Sequence, residues 1–259
     1  MGKDLVWNSV TVNDADFYQG ISTDIVILGY HDRTLKILLQ KPLFSSKWSL
    51  AGGFISKNMS VEEAAHEIVR QRTGLEDLEL YHFGVYSEPG RINDDKNEFI
   101  EFAKNSGLPI DESHWSLGNV ISIAFCALID FEKADQVFNT EMEETRWWDI
   151  SEIPPLIYDH NRIVRGAMDY LKARCYMKPI GRGLLQDKFT LPDLRSLYET
   201  ILGKQLDDRN FSKKLLHIGL IERLEERKSI GPHRSPYLYK FNDEVYDFLS
   251  RESSFIIMS

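Results

Sequence analysis

The sequence predicts an α+β fold in two modules: helices packed on a mixed sheet, then a helix-turn-helix closed by a β-hairpin. Three observations carry this. Residues 22–175 interleave apolar or alternating runs with amphipathic stretches of helical period. The pattern breaks at "MKPIGRG", residues 177–183, where one proline and two glycines interrupt it. The charge then changes sign: residues 178–240 carry 13 Lys and Arg against 8 Asp and Glu, in a chain of 259 residues with net charge −9. A basic module behind an acidic one points to a polyanionic partner. The expected domains are 1–177 and 178–259.

In the first module, "STDIVILGYHDRTLKILLQK" (residues 22–41) reads as two strands around the polar turn His31-Asp32-Arg33. "WSLAGGF" then turns the chain through Gly52-Gly53. Ser60 is a helix N-cap, Glu63 completes a capping box, and the helix from Val61 to Arg72 stops at Gly74. "LELYHFGVYS" is a strand. Residues of about 92–116 are polar around a short helical centre and read as an insertion. "NVISIAFCALIDF" is a buried strand and "EETRWWDISEIPPL" an edge strand. "NRIVRGAMDYLKARCY" is a helix with Ile163, Met168 and Leu171 near one face. The apolar run Val120 to Ile129 is too short to span a bilayer, and the start "MGKDLVWNSV" has no apolar signal core. No membrane partner and a cytoplasmic location are therefore expected. Cys126 and Cys175 form no C-x-x-C pair and read as buried reduced thiols.

In the second module, Thr190 caps a helix with Asp193 three residues on. Its stripe is Leu194, Leu197, Tyr198, Ile201 and Leu202, and Gly203 stops it. A second helix restarts at Asp207 or Asp208. Phe211, Leu215 and Ile218 point inward, which leaves Arg209, Asn210, Ser212, Lys213, Lys214 and His217 for the other faces. Arginine and asparagine pair bidentately with guanine and adenine edges in the major groove, and lysines suit phosphates. Two strands follow, joined by "SIGPHRS", with Lys228, His233 and Arg234 at the tip. This order is that of a winged helix-turn-helix.

"WSLAGGFISKNMSVEEAAHEIVRQRTGL", residues 48–75, resembles the Nudix box, anchored at Gly53 and at Gly74-Leu75. The resemblance implies a Nudix α/β/α sandwich. In that family three helical glutamates grip Mg²⁺, a hard cation that wants oxygen ligands and polarises a diphosphate. Here those slots hold Ile68, Gln71 and Arg72; the earlier glutamate slot holds Met59 and the arginine slot Glu67. No one-residue slip builds a three-carboxylate face. We expect no metal, no cofactor, no catalytic residues and no hydrolase activity. The alternative is a hydrolase of nucleoside-diphosphate derivatives such as ADP-ribose, with its metal on Glu62, Glu63, Glu67 or loop acids. The segment from Lys188 to Ile221 resembles the DNA-binding half of the Nudix-related transcriptional regulators. That resemblance implies a homodimer on a palindromic double-stranded operator, tuned by an effector in the Nudix domain. The effector is ADP-ribose in some members and a pentose such as arabinose in others, where carbohydrate use is regulated. Candidate effector contacts are Lys41, Trp48, Tyr86, Glu88, Arg91, Trp147 and Asp159, whose aromatic faces and polar groups suit sugars or bases.

Overall fold

The computed structural model describes residues 14–76, 78–108, 110–135, 144–229 and 235–251. The first two strands are β1 (Phe17–His31) and β2 (Thr34–Lys41). Asp32 and Arg33 join them with φ of 48° and 60°. Positive φ at both turn residues gives the type I′ hairpin, whose twist matches its strands.

The Gly52-Gly53 pair is not a turn, as the sequence reading had it. It lies inside β3 (Ala51–Ser56), which pairs antiparallel with β1 so that Gly52 faces Asp24 and Gly53 faces Thr23. The glycines serve close approach instead. A Cβ at Gly52 would stand 2.3 Å from Asp24 Oδ1, and one at Gly53 3.2 Å from Ile68 Cδ1.

Helix α1 (Val61–Thr73) begins and ends where its caps predict. Ser60 Oγ accepts the Glu63 N–H, and Gly74 closes the helix at φ 70°. Then come β4 (Leu80–Tyr86), α2 (Lys96–Asn105), β5 (Ile121–Ile129), a short α3 (Phe131–Asp135), β6 (Glu144–Asp149) and α4 (His160–Met177). The sheet runs β4-β5-β1-β2-β6, with β3 branching from β1. β6 is an edge strand, as predicted. Ile25, Val26, Ile27 and Leu28 of β1 are all fully buried, the pattern of a strand covered on both faces. α4 buries every fourth residue, Ile163, Ala167, Leu171 and Cys175, while Met168 is only half-buried. Cys126 and Cys175 are buried free thiols, and burial pushes the Cys175 thiol up to about 12.

The segment 92–116 packs into a small core shared with residues around it. Phe99 and Ala103 of α2 pack with Phe44, Ile110, Leu117 and Ile157.

The second module holds α5 (Leu191–Leu202), α6 (Asp208–His217), β7 (Ile221–Arg227), β8 (Tyr237–Phe241) and α7 (Asp243–Arg251). Thr190 and Asp193 form a reciprocal capping box and Gly203 ends α5 at φ 67°. Leu194, Leu197, Tyr198 and Ile201 are buried, and the Tyr198 ring meets Phe211 of α6 edge-on at 5.4 Å. The sequence reading missed α7. Asn242 caps it through a side-chain bond from the Val245 N–H (3.1 Å), and Tyr246 and Leu249 are its buried anchors. An asparagine followed by two acids was the available signal.

By packing, the chain forms two compact units. Among the described residues, one unit comprises those within 14–28, 36–128 and 133–167; the other comprises those within 29–35, 129–132 and 168–251. The division between the two units falls within α4. Among the described residues no helix is long and apolar enough to cross a membrane.

Candidate effector pocket and DNA-binding face

The inward stripe of α1 is Ala65, Ile68 and Val69, all buried, with Arg72 half-buried at its end. Ile68 therefore fills its slot as a packing residue beneath Gly53. Glu67, the one acid in the box helix's central turns, is committed to its own helix. It accepts two hydrogen bonds from Arg70 (2.8 and 2.7 Å) and one from Gln71 (2.6 Å). The Arg70 guanidinium holds its carboxyl below the usual range. Glu63 is spent on the cap. Among the described residues no group of three His, Cys, Asp or Glu is placed to hold a metal ion. The donor set does not fit Mg²⁺, which requires several oxygen ligands.

A cavity of about 150 Å³ opens beside this helix, within the first unit. Gln40, Gly52, Gly53, Phe54 and Arg72 line one side; Ile92, Phe99, Ile110, His114 and Trp115 line another, and Asp24, Arg91, Tyr158 and His160 complete it. Trp115 meets Phe54 edge-on at 4.6 Å, and its Nε1 has no hydrogen-bond partner among the described residues.

The polar part of the wall is a buried network. Arg91, whose side chain is 3% exposed, donates to both oxygens of Asp159 (3.1 and 2.6 Å) and reaches Asp24 at 3.5 Å. Ser122 Oγ donates to Asp24 at 2.5 Å. His160 Nδ1 accepts the Leu50 N–H at 3.1 Å, so in the neutral ring the proton sits on Nε2, facing Asp24 Oδ1 at 3.5 Å. Burial lowers the His160 pKa against the opposing pull of Asp24. Beside it, Asp95 takes a bond from Lys47 (2.6 Å) and one from the Tyr158 N–H (2.5 Å), and Tyr158 sits at φ 53°.

On the second unit, α6 turns Phe211 and Leu215 inward. Arg209, Lys213 and His217 fall four residues apart on the outer side and are exposed, as is Asn210; Ser212 and Lys214 are half-buried. Among the described residues Arg209 and Lys213 make no ion pair. The basic residues around them are tied: Arg195 to Asp208 at 2.8 Å, Lys188 to Glu226 at 2.7 Å, Lys228 to Asp193 at 3.3 Å.

The family model of the NrtR DNA-binding winged helix domain matches residues 181–241. Over 235 residues the chain is 26% identical to the ADPR-responsive transcriptional repressor NtrR of Acinetobacter baylyi, covering 88% of this chain and 84% of that one. Residues 181–241 thus match the NrtR winged helix family, and the chain as a whole is similar to an NrtR-type, Nudix-related transcriptional regulator. The crystal structure of Shewanella oneidensis NrtR in complex with a 27mer DNA superposes with a TM-score of 0.71 at 20% identity, covering 88% of this chain and 96% of that one. That likeness is one of fold: a mixed α/β Nudix domain followed by a winged helix. An ADP-ribose pyrophosphatase of Methanocaldococcus jannaschii is 27% identical over 147 residues, 56% of this chain and 72% of its own length.

Two of the seven effector candidates meet: Arg91 lines the cavity and Asp159 grips it. Trp48 is a core residue, edge-on to Trp148 at 5.4 Å. Tyr86 packs into the space left by Gly166, where a Cβ would stand 2.0 Å from its hydroxyl. Glu88 pairs with Arg162 at the surface. Lys41 ends β2, and Trp147 of β6 is paired in register with Leu38 of β2. These five lie off the cavity lining. The sequence reading missed Asp24, Ser122, His160 and Trp115. The segment 92–116, read from sequence as an insertion, supplies the wall formed by Ile92, Phe99, Ile110, His114 and Trp115. In the wing, Arg223 and Arg227 stack on Tyr237 at 4.6 and 3.6 Å, which the sequence reading also missed. His233 and Arg234 lie outside the described residues.

Proposed function

We propose that this protein is a transcriptional regulator whose Nudix domain binds ADP-ribose without cutting it and thereby sets the affinity of its winged helix for operator DNA. The observation that carries this is the box helix. Ile68 is packed on Gly53, Arg72 stands in a metal slot, and Glu67 is held by Arg70 and Gln71. A scaffold stripped of its cation site keeps a cavity with aromatic faces and a buried polar wall, which can recognise but has no means to activate water. The ADPR-responsive repressor among the relatives favours ADP-ribose over a pentose. The outer stripe of Arg209, Asn210, Lys213 and His217 suits the major groove, with the wing arginines beside the backbone. A homodimer on a palindromic site follows, because each winged helix reads one half-site.

The alternative, a hydrolase, draws on the pyrophosphatase relative. Incubation with ADP-ribose and Mg²⁺ decides between them. The proposal expects intact ADP-ribose at the end and a shifted promoter fragment in a gel; sustained release of AMP overturns it.

A further inference from the structure

We infer that Tyr158 is a specificity-determining residue of the cavity: its hydroxyl donates a hydrogen bond to the effector's terminal ribose. This rests on the ADP-ribose reading above and goes further, to the part of the molecule that the polar wall recognises.

The backbone at Tyr158 is strained, and the strain is enforced. Its φ of 53° lies in the left-handed region, where residues with a Cβ rarely sit. Such a conformation persists only where its surroundings impose it, and it gathers at functional sites. Here Asp95 accepts the Tyr158 N–H at 2.5 Å, and Lys47 fixes the buried Asp95 side chain at 2.6 Å. The ring packs against the cluster that includes Phe99 and Ile157, and stands edge-on to His160 at 5.6 Å. So held, Tyr158 lines the cavity with Asp24, Arg91 and His160.

The hydroxyl itself is unused by the fold. Among the described residues it has no hydrogen-bond partner. A hydroxyl withdrawn from water and left unpaired is destabilising, and a ligand oxygen satisfies it. It serves as a donor. Burial raises the phenol pKa, and the carboxylates of Asp95 and Asp24 raise it further against the pull of Arg91, so the proton stays on the oxygen. Charge then selects the part of the effector. The polar wall carries the carboxylates of Asp24, Asp95 and Asp159 against the cations Arg91 and Lys47. The excess is negative, which disfavours a diphosphate and suits neutral hydroxyls, each able to accept from Tyr158 and donate to a carboxylate. The terminal ribose carries more hydroxyls than any other part of ADP-ribose. The flat faces of adenine are matched elsewhere in the lining, by Phe54 and Trp115.

The test is calorimetric titration of the full-length wild type and Y158F with ADP-ribose and with ADP, which lacks the terminal ribose. ADP is measured by displacement of ADP-ribose where its own heat is small; if it displaces none, the ADP-ribose titrations alone decide. Y158F keeps the ring and removes only the hydroxyl. It should bind ADP-ribose ~5- to 50-fold more weakly than the wild type, the loss of one hydrogen bond in a buried site, and bind ADP as the wild type does. Its unliganded thermal midpoint should equal or exceed the wild type's, because the lost group has no partner in the fold; a lower midpoint shows that the hydroxyl serves the fold and overturns the inference. Equal affinity of both proteins for ADP-ribose, or the same loss for ADP and ADP-ribose, also overturns it while leaving ADP-ribose as effector. No binding of ADP-ribose to the wild type overturns the ADP-ribose reading itself, and this inference with it.

Discussion

Arg91 is buried between two carboxylates, those of Asp159 and Asp24, and the arrangement stands only while all three are present. Replacing Arg91 by Met leaves buried negative charge without a countercharge, a change that costs about 3–5 kcal/mol. Urea unfolding of R91M should show that loss, with its midpoint well below the wild type's. His160, in the same network, makes stability depend on pH. Burial lowers its pKa below the ordinary 6.5, so the unfolded chain takes up the proton first. The stability owed to neutral His160 is complete above pH 6.5 and is lost as pH falls below it toward the folded-state value. H160Q, which keeps an acceptor for the Leu50 N–H and a donor toward Asp24, should flatten the urea midpoint between pH 6.5 and the acid limb; an unchanged slope contradicts this. Arg91 and Asp159 could be read from sequence because they are charged residues in a polar stretch beside the cleft. Asp24 and Ser122 could not. Each sits in an apolar strand run, and their bond spans 98 positions, so only the adjacency of β1 and β5 brings them together.

At the scale of elements, caps were the most legible features. Ser60 with Glu63, Gly74, Thr190 with Asp193, and Gly203 each act where local chemistry places them, because a cap is decided within a few residues. β3 was not legible: two adjacent glycines signal a turn, and only the nearness of Asp24 and Ile68 explains them in a strand. Ile218, expected inward, is half-buried because it is the C-cap of α6, past its last helical turn. The outer stripe of α6 carries a prediction of its own. K213A, removing a phosphate contact, should weaken operator binding evenly across sequences and lower the slope of log affinity against log salt by about 1. R209A should cost about 1–3 kcal/mol and relax discrimination at a single base position. Anisotropy titrations at several salt concentrations separate the two. If R209A and K213A change both quantities alike, α6 does not divide reading from anchoring in this way.

For the whole molecule, the order of modules and the missing carboxylates were readable because both are one-dimensional facts: a change of pattern and charge along the chain, and wrong residue types at fixed spacings. The place of the cavity was not readable, since its walls come from β1, β2, β3, α1, the 92–116 segment and the start of α4. In the proposed function the two modules are linked by a coupling free energy, and the coupling is reciprocal: an effector that weakens DNA binding is itself bound more weakly when DNA is present. The direct test is fluorescence anisotropy of a labelled promoter fragment titrated with the protein, without and with saturating ADP-ribose, followed by recovery of the nucleotide. The account predicts a DNA dissociation constant changed ~5- to 150-fold by ADP-ribose that is recovered uncut. The same dissociation constant in both titrations, or ADP-ribose found cleaved, contradicts it.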